Sequence, residues 1–132
     1  MEVSFERIVK GGIYSRHQLA ELWGYRGYQA LARGIVTPAG DTKVILFVTE
    51  GEGQQQTSQR YSNRFDGRTL RSEGPEDHFA EKRLLDAGTS GEEIHLFHRE
   101  RHREDFTYCG RVRLVASQLH RDRPSRFTFE VF

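Results

Sequence analysis

The chain has 132 residues, of which 36% are hydrophobic, 30% charged and 11% aromatic, enough for one modest core with little left for a second domain. Twenty Lys and Arg against nineteen Asp and Glu leave a net charge of +1, so total charge points to no partner. No apolar run reaches the roughly 18 residues a membrane helix needs, and the single cysteine, Cys109, excludes an internal disulfide and fits a reducing cytoplasm.

In chain order, residues 15–23 set Leu19, Leu22 and Trp23 at helical spacing, with Ser15 to cap the start and Gly24 to end the helix. Residues 29–33 read as one or two helical turns closed by Gly34. Residues 42–49 carry Val44, Ile45, Leu46, Phe47 and Val48 in succession, a run of strand length that predicts a strand buried on both faces at the centre of a sheet. Residues 50–63 are polar and aperiodic, long for a loop in a compact domain. A short strand is expected in 65–72 and a second helix over 79–87, closed by Gly88. Strands follow over 93–99 and 106–115, the latter alternating except at Gly110, where the break predicts a bulge or a close backbone approach. Residues 126–132 alternate Phe127, Phe129 and Val131, and that strand stops abruptly at the chain end, which suggests a domain excised from a larger protein. The expectation is one domain over 1–132, of class α+β, with a curved, partly barrel-like sheet and two or three short helices at its edge.

Catalytic signatures are missing. There is no nucleophile elbow, phosphate loop, zinc-protease helix or dinucleotide fingerprint, and Gly51-Glu52-Gly53 lacks a following helix to hold phosphate. His95, His98, His102 and Cys109 lie within fifteen residues of one another, but strand geometry turns His95 and His98 to opposite faces. These read as surface histidines of a polar hairpin. Glu73, Glu76, Asp77 and His78 read as a solvated turn before the second helix; the competing reading makes them the metal site of a small nuclease. No cofactor or metal is implied, and the domain itself is expected not to be an enzyme.

The basic residues are more informative than their sum. Lys occurs only at 10, 43 and 82, and the other seventeen cations are Arg, the planar side chain that contacts phosphate and guanine bidentately. They interleave with aromatics: Trp23, Tyr25, Arg26, Tyr28 and Arg33, then Arg60, Tyr61, Arg64, Phe65, Arg68 and Arg71. Many carboxylates fall later, in 73–105. A cationic surface for phosphates and flat side chains for an unstacked base are what a nucleic-acid reader needs.

The succession Tyr14-Ser15-Arg16, Arg33-Gly34, Ile45-Leu46-Phe47-Val48-Thr49, Tyr61-x-Asn63-x-Phe65, Ile94-His95-Leu96-Phe97 and Phe106-Thr107-Tyr108-Cys109-Gly110 resembles the C-terminal recognition domain of modification-dependent (type IV) restriction enzymes and related modules attached to HNH endonucleases. Asn63 stands where that family has Asp. The resemblance implies an SRA-like or PUA-like fold that binds double-stranded DNA carrying modified cytosine, 5-methylcytosine first, by flipping the base into an aromatic pocket. It implies a nuclease or helicase in a fused or associated part and no membrane partner. Candidate pocket residues are Trp23, Tyr25, Tyr28, Tyr61, Asn63, Phe65 and Asp66. Arg16, Arg26, Arg33, Arg60, Arg64 and Arg68 are the candidate DNA contacts. A metal-dependent nuclease and a protein- or RNA-interaction domain are the alternatives.

Overall fold

The computed structural model describes residues 3–50 and 63–132. Its elements are β1 (Ile13–Tyr14), α1 (Arg16–Leu22), a short 3-10 helix (Tyr28–Leu31), β2 (Ile35–Val36), β3 (Lys43–Thr49), β4 (Arg64–Asp66), β5 (Thr69–Glu73), α2 (Glu81–Ser90), β6 (Glu93–Arg99), β7 (Phe106–Gln118) and β8 (Arg126–Val131). Among the described residues eight strands form one mixed sheet in the order β2-β3-β6-β7-β8-β5-β4, with β1 beside the start of β7. Only β3 and β6 pair in parallel. The class is α+β, and no described ladder joins β2 to β4, so the sheet is not closed into a barrel. No described helix is long and apolar enough to cross a membrane.

Strand β3 is buried on both faces, as its apolar run predicts. Ile45 and Phe47 enter one core with Leu19, Trp23, Leu31, Phe97 and Phe106, while Val44, Leu46 and Val48 enter a second with Leu84, Ile94, Phe127 and Phe129. Its place is not central, however: only the two-residue β2 lies beyond it, and β7, the longest strand, occupies the middle. The helices are not at the sheet's edge either. Helix α1 contributes Leu19, Ala20 and the following Trp23 to the first core, and α2 contributes Leu84 and Ala87 to the second, so they cover opposite faces.

Local chemistry explains the boundaries. Ser15 and Gln18 form a reciprocal capping box at α1, with bonds of 3.0 and 2.8 Å. Helix α2 runs over 81–90 rather than 79–87, because His78 and Ala80 adopt left-handed φ of 60° and 66° and Gly88 is simply carried within it to the cap at Gly91. The stretch 65–72 holds part of a hairpin, β4 turning at Gly67 into β5, in place of one strand.

Gly110 marks a change of phase. Leu96 pairs with Gly110 and Phe97 with Tyr108, leaving Cys109 as an extra residue. One inserted residue reverses the side-chain alternation, so Phe106 and Tyr108 join the first core while Val112 and Leu114 belong to the second. The expected bulge is present; Gly110 itself has φ +102°, and a Cβ there would lie 3.2 Å from Cε of the Lys10 side chain rather than against another stretch of backbone.

Candidate functional site

The site grows from the turn between β5 and α2. Gly74 donates its N–H to the carbonyl of Ser125 at 2.8 Å, and a Cβ at this position would meet the Phe127 ring at 2.9 Å. Glycine is therefore what lets this turn lie flat on β8. Two left-handed non-glycine residues, His78 and Ala80, then flank Phe79, each in a conformation costing on the order of 1 kcal/mol. Side chains hold the strain in place. Asp77 accepts the N–H of Phe79 at 3.1 Å and pairs with Arg33 at 3.1 Å, and the Arg33 guanidinium lies over the Phe79 ring, 4.0 Å from its centre. These contacts hold the Asp77 carboxyl below its usual range. His78 bonds Glu81, which raises its imidazole pKa, and reaches the carbonyl of Arg121 at 3.3 Å.

Phe79 so presented walls a cavity of about 260 Å³. Leu46, Val48, Leu84, Phe127 and Phe129 supply apolar surface, Asn63, Ser72 and Glu73 the polar groups, and Arg33 stands at the rim. Asn63 donates to the carbonyl of Thr49 at 3.3 Å and accepts from the N–H of Glu73 at 3.1 Å. It thereby ties the edge of the sheet at β4 to the end of β3. The carboxylate of Glu73 is nearly buried, 3.6 Å from Nε of Arg126. A small, largely apolar space with a few fixed polar groups is the usual form of a site for one ring-shaped ligand.

No family model matches the chain, and no curated protein matches it. Its geometry is accordingly the guide to its chemistry.

The residues singled out from the sequence fall into several places. Arg33 and Asn63 meet at the Phe79 cavity. Trp23 is 5% exposed, donates Nε1–H to the carbonyl of Ser4 at 2.8 Å and belongs to the first core, not to a pocket wall. Tyr25 packs against the same core and lines a cleft of about 230 Å³ on another side of Phe79. Tyr28 is exposed and packs at a tilt of 43° against His17, with ring centres 4.4 Å apart. Phe65 packs on the second core beside His98, and Asp66 is exposed at the end of β4. Arg26 is exposed, Arg64 stands on the open sheet face, and Arg68 bonds the carbonyl of Val131 at 2.9 Å. Arg60, Tyr61 and the Gly51-Glu52-Gly53 stretch lie outside the described residues.

Arg16 takes a role its position at a helix start did not suggest. Its guanidinium lies over Phe47 and Phe106, 4.7 and 4.9 Å from the ring centres, in a cavity that also holds Tyr28, Arg99 and His102. Burial, then the nearby Arg99, lowers its pKa to about 10.

His95 is a clear departure from expectation. Rather than a surface residue, it is 3% exposed, stacked on Phe5 at 3.7 Å, with Nδ1 2.7 Å from the Tyr108 hydroxyl and Nε2 2.9 Å from Glu93. Donation of Nε2–H to Glu93 leaves Nδ1 to accept from Tyr108. Desolvation pushes the pKa of His95 down and that of Tyr108 up to about 12. Among the described residues no three His, Cys, Asp or Glu side chains are placed to hold a metal. In the acidic stretch at 73–78, Glu73 turns to Arg126, Asp77 to Arg33 and His78 to Glu81.

Sequence reading missed Phe79, Phe127 and Glu73 as lining residues. Gly74-Pro75 between a strand and a helix was the available signal, since that pair marks a tight connection, but which rings it would oppose depended on β8.

Proposed function

We propose that this domain reads modified cytosine, 5-methylcytosine first, in double-stranded DNA, with the target base turned out of the helix into the Phe79 cavity. It would serve as the targeting module of a restriction or defence system whose nuclease or helicase is fused or associated. The bonds of Asn63 to the ends of β3 and β5 support a curved sheet and an SRA-like or PUA-like relationship. The observation that carries the reading is the cavity itself: strained residues on both sides of Phe79 present an aromatic wall to a space sized for one heterocycle, with Asn63, Ser72 and Glu73 to address its polar edge.

Extruding a base costs a few kcal/mol, recovered through stacking and hydrogen bonds to its Watson–Crick edge. A methyl group adds about 0.8 kcal/mol of apolar burial, roughly a fourfold preference. Fluorescence anisotropy with otherwise identical duplexes carrying cytosine, 5-methylcytosine or 5-hydroxymethylcytosine tests it. The methylated duplex should bind several-fold tighter than the unmodified one, and Phe79→Ala should bring the two together. Equal weak affinity for all three, vanishing together as salt rises, would overturn the reading.

A further inference from the structure

On the sheet face opposite α2, β4 and β5 bring Arg64 and Arg71 directly opposite each other in register. Like charges facing across a ladder are destabilising, and among the described residues neither guanidinium has a hydrogen bond or ion pair to relieve the repulsion. The helical layer does not extend over this half, and both arginines are exposed. Their row continues across the sheet through Thr128 to Ala116. These small residues floor an open trough of about 590 Å³, with Arg64 and Arg71 on one side and Gln118 and Arg126 on the other. A second bulge, with Val115 as the extra residue between Leu114 and Ala116, bends β7 along the trough.

A charged edge strand protects a sheet from pairing with other chains, and that suffices for Arg64. It does not account for Arg71, one strand further in and already covered on both sides by ladder. Two arginines paired across one ladder and lining one trough, with no counter-ion among the described residues, offer two planar donors to an oxyanion, and Gln118 adds a neutral donor along the same trough. The trough and the Phe79 cavity share Ser72, Glu73 and Phe127 in their linings, so one polyanion could run through the first while a group attached to it enters the second.

We infer that Arg64 and Arg71 clamp a backbone phosphodiester of bound nucleic acid, with the strand lying along the trough toward Arg126. The inference rests on the nucleic-acid part of the function proposed above, not on recognition of a modified base. Each phosphate neutralised contributes about 0.9 to the slope of log affinity against log salt. Anisotropy with duplex DNA across a salt series should therefore show Arg64→Gln/Arg71→Gln flattening that slope by 1 to 2, equally for unmodified and methylated duplexes. Any preference between those duplexes is a separate readout, so loss of the preference with a flattened slope keeps the trough and discards base reading. Thermal unfolding without DNA checks the fold: Arg71→Gln alone should melt no lower than the parent, because it removes a repulsion. An unchanged slope in the double variant would overturn the inference. So would the same flattening in Arg7→Gln, or competition by poly-glutamate or inorganic phosphate as effective as that by an unlabelled duplex.

Discussion

One face of the sheet has two unlike halves. Over β3, β6 and the start of β7 it carries Ile45, Phe47, Phe97, Phe106 and Tyr108 beneath the α1 layer. Over β5, β8 and the end of β7 it carries Arg71, Thr128, Glu130 and Arg113, open to solvent. The boundary is the bulge at Cys109. Before it, Phe106 and Tyr108 point to the aromatic core; after it, Val112 and Leu114 point to the other face and Arg111 and Arg113 take their place, until the second bulge at Val115 returns Ala116 and Gln118 to the open face. One extra residue thus converts a dry face into a cationic one without interrupting the strand.

The largest effect should come from the dry half. Phe97 is fully buried, with ring contacts to Phe5, Tyr14, Trp23, Phe47 and Tyr108, so Phe97→Ala is expected to cost about 3 to 5 kcal/mol in urea unfolding. On the open half, Thr128→Ala should stay within about 0.5 kcal/mol; a comparable loss there would abolish the contrast.

The boundary itself comes next. A β-branched side chain at Gly110 would have to adopt φ of +102° and crowd Lys10, so Gly110→Val should cost about 2 kcal/mol. Unfolding midpoints at matched m-values measure it. Retained stability would mean that the bulge can move along β7. At the Phe79 turn, Ala80→Gly should stabilise by about 1 kcal/mol, since only the strain of a left-handed alanine is removed; a loss would show that the strain is lower than its φ implies.

A smaller effect separates two histidines by sign. His95 has a lowered folded-state pKa, from burial first, so its stabilising contribution is present above the unfolded value near 6.5 and is lost as pH falls toward the folded pKa. His78 has a raised pKa, from its bond to Glu81, so its contribution is present below the unfolded value and is lost as pH rises through the folded one. Unfolding midpoints between pH 5 and 8 should show His95→Gln weakening the acid-side loss and His78→Gln exposing more of it. Identical profiles for both variants would contradict the buried, neutral assignment of His95.

Much of this was legible locally. The Ser15 cap of α1, the doubly buried β3 and the disturbance at Gly110 each depend on residues within a few positions of one another, where spacing and backbone preference act directly. The end of α2 was misjudged because a glycine inside a helix costs less than Leu84 and Ala87 return by packing on the sheet. Charge segregation along the chain was real but was partly undone in space, where Arg33 meets Asp77 and Arg126 meets Glu73.

By itself, then, the amino-acid order determined the class of fold, most strands and the interleaving of arginine with aromatic residues between positions 16 and 71. The tertiary structure decided which of them share a site. Trp23 went to the core because its helix covers a sheet face, Phe79 came to a cavity because β8 passes beneath its turn, and Arg64 met Arg71 because a hairpin closed at Gly67. Each of these depends on the register of strands far apart in sequence, which hydrophobic periodicity does not encode.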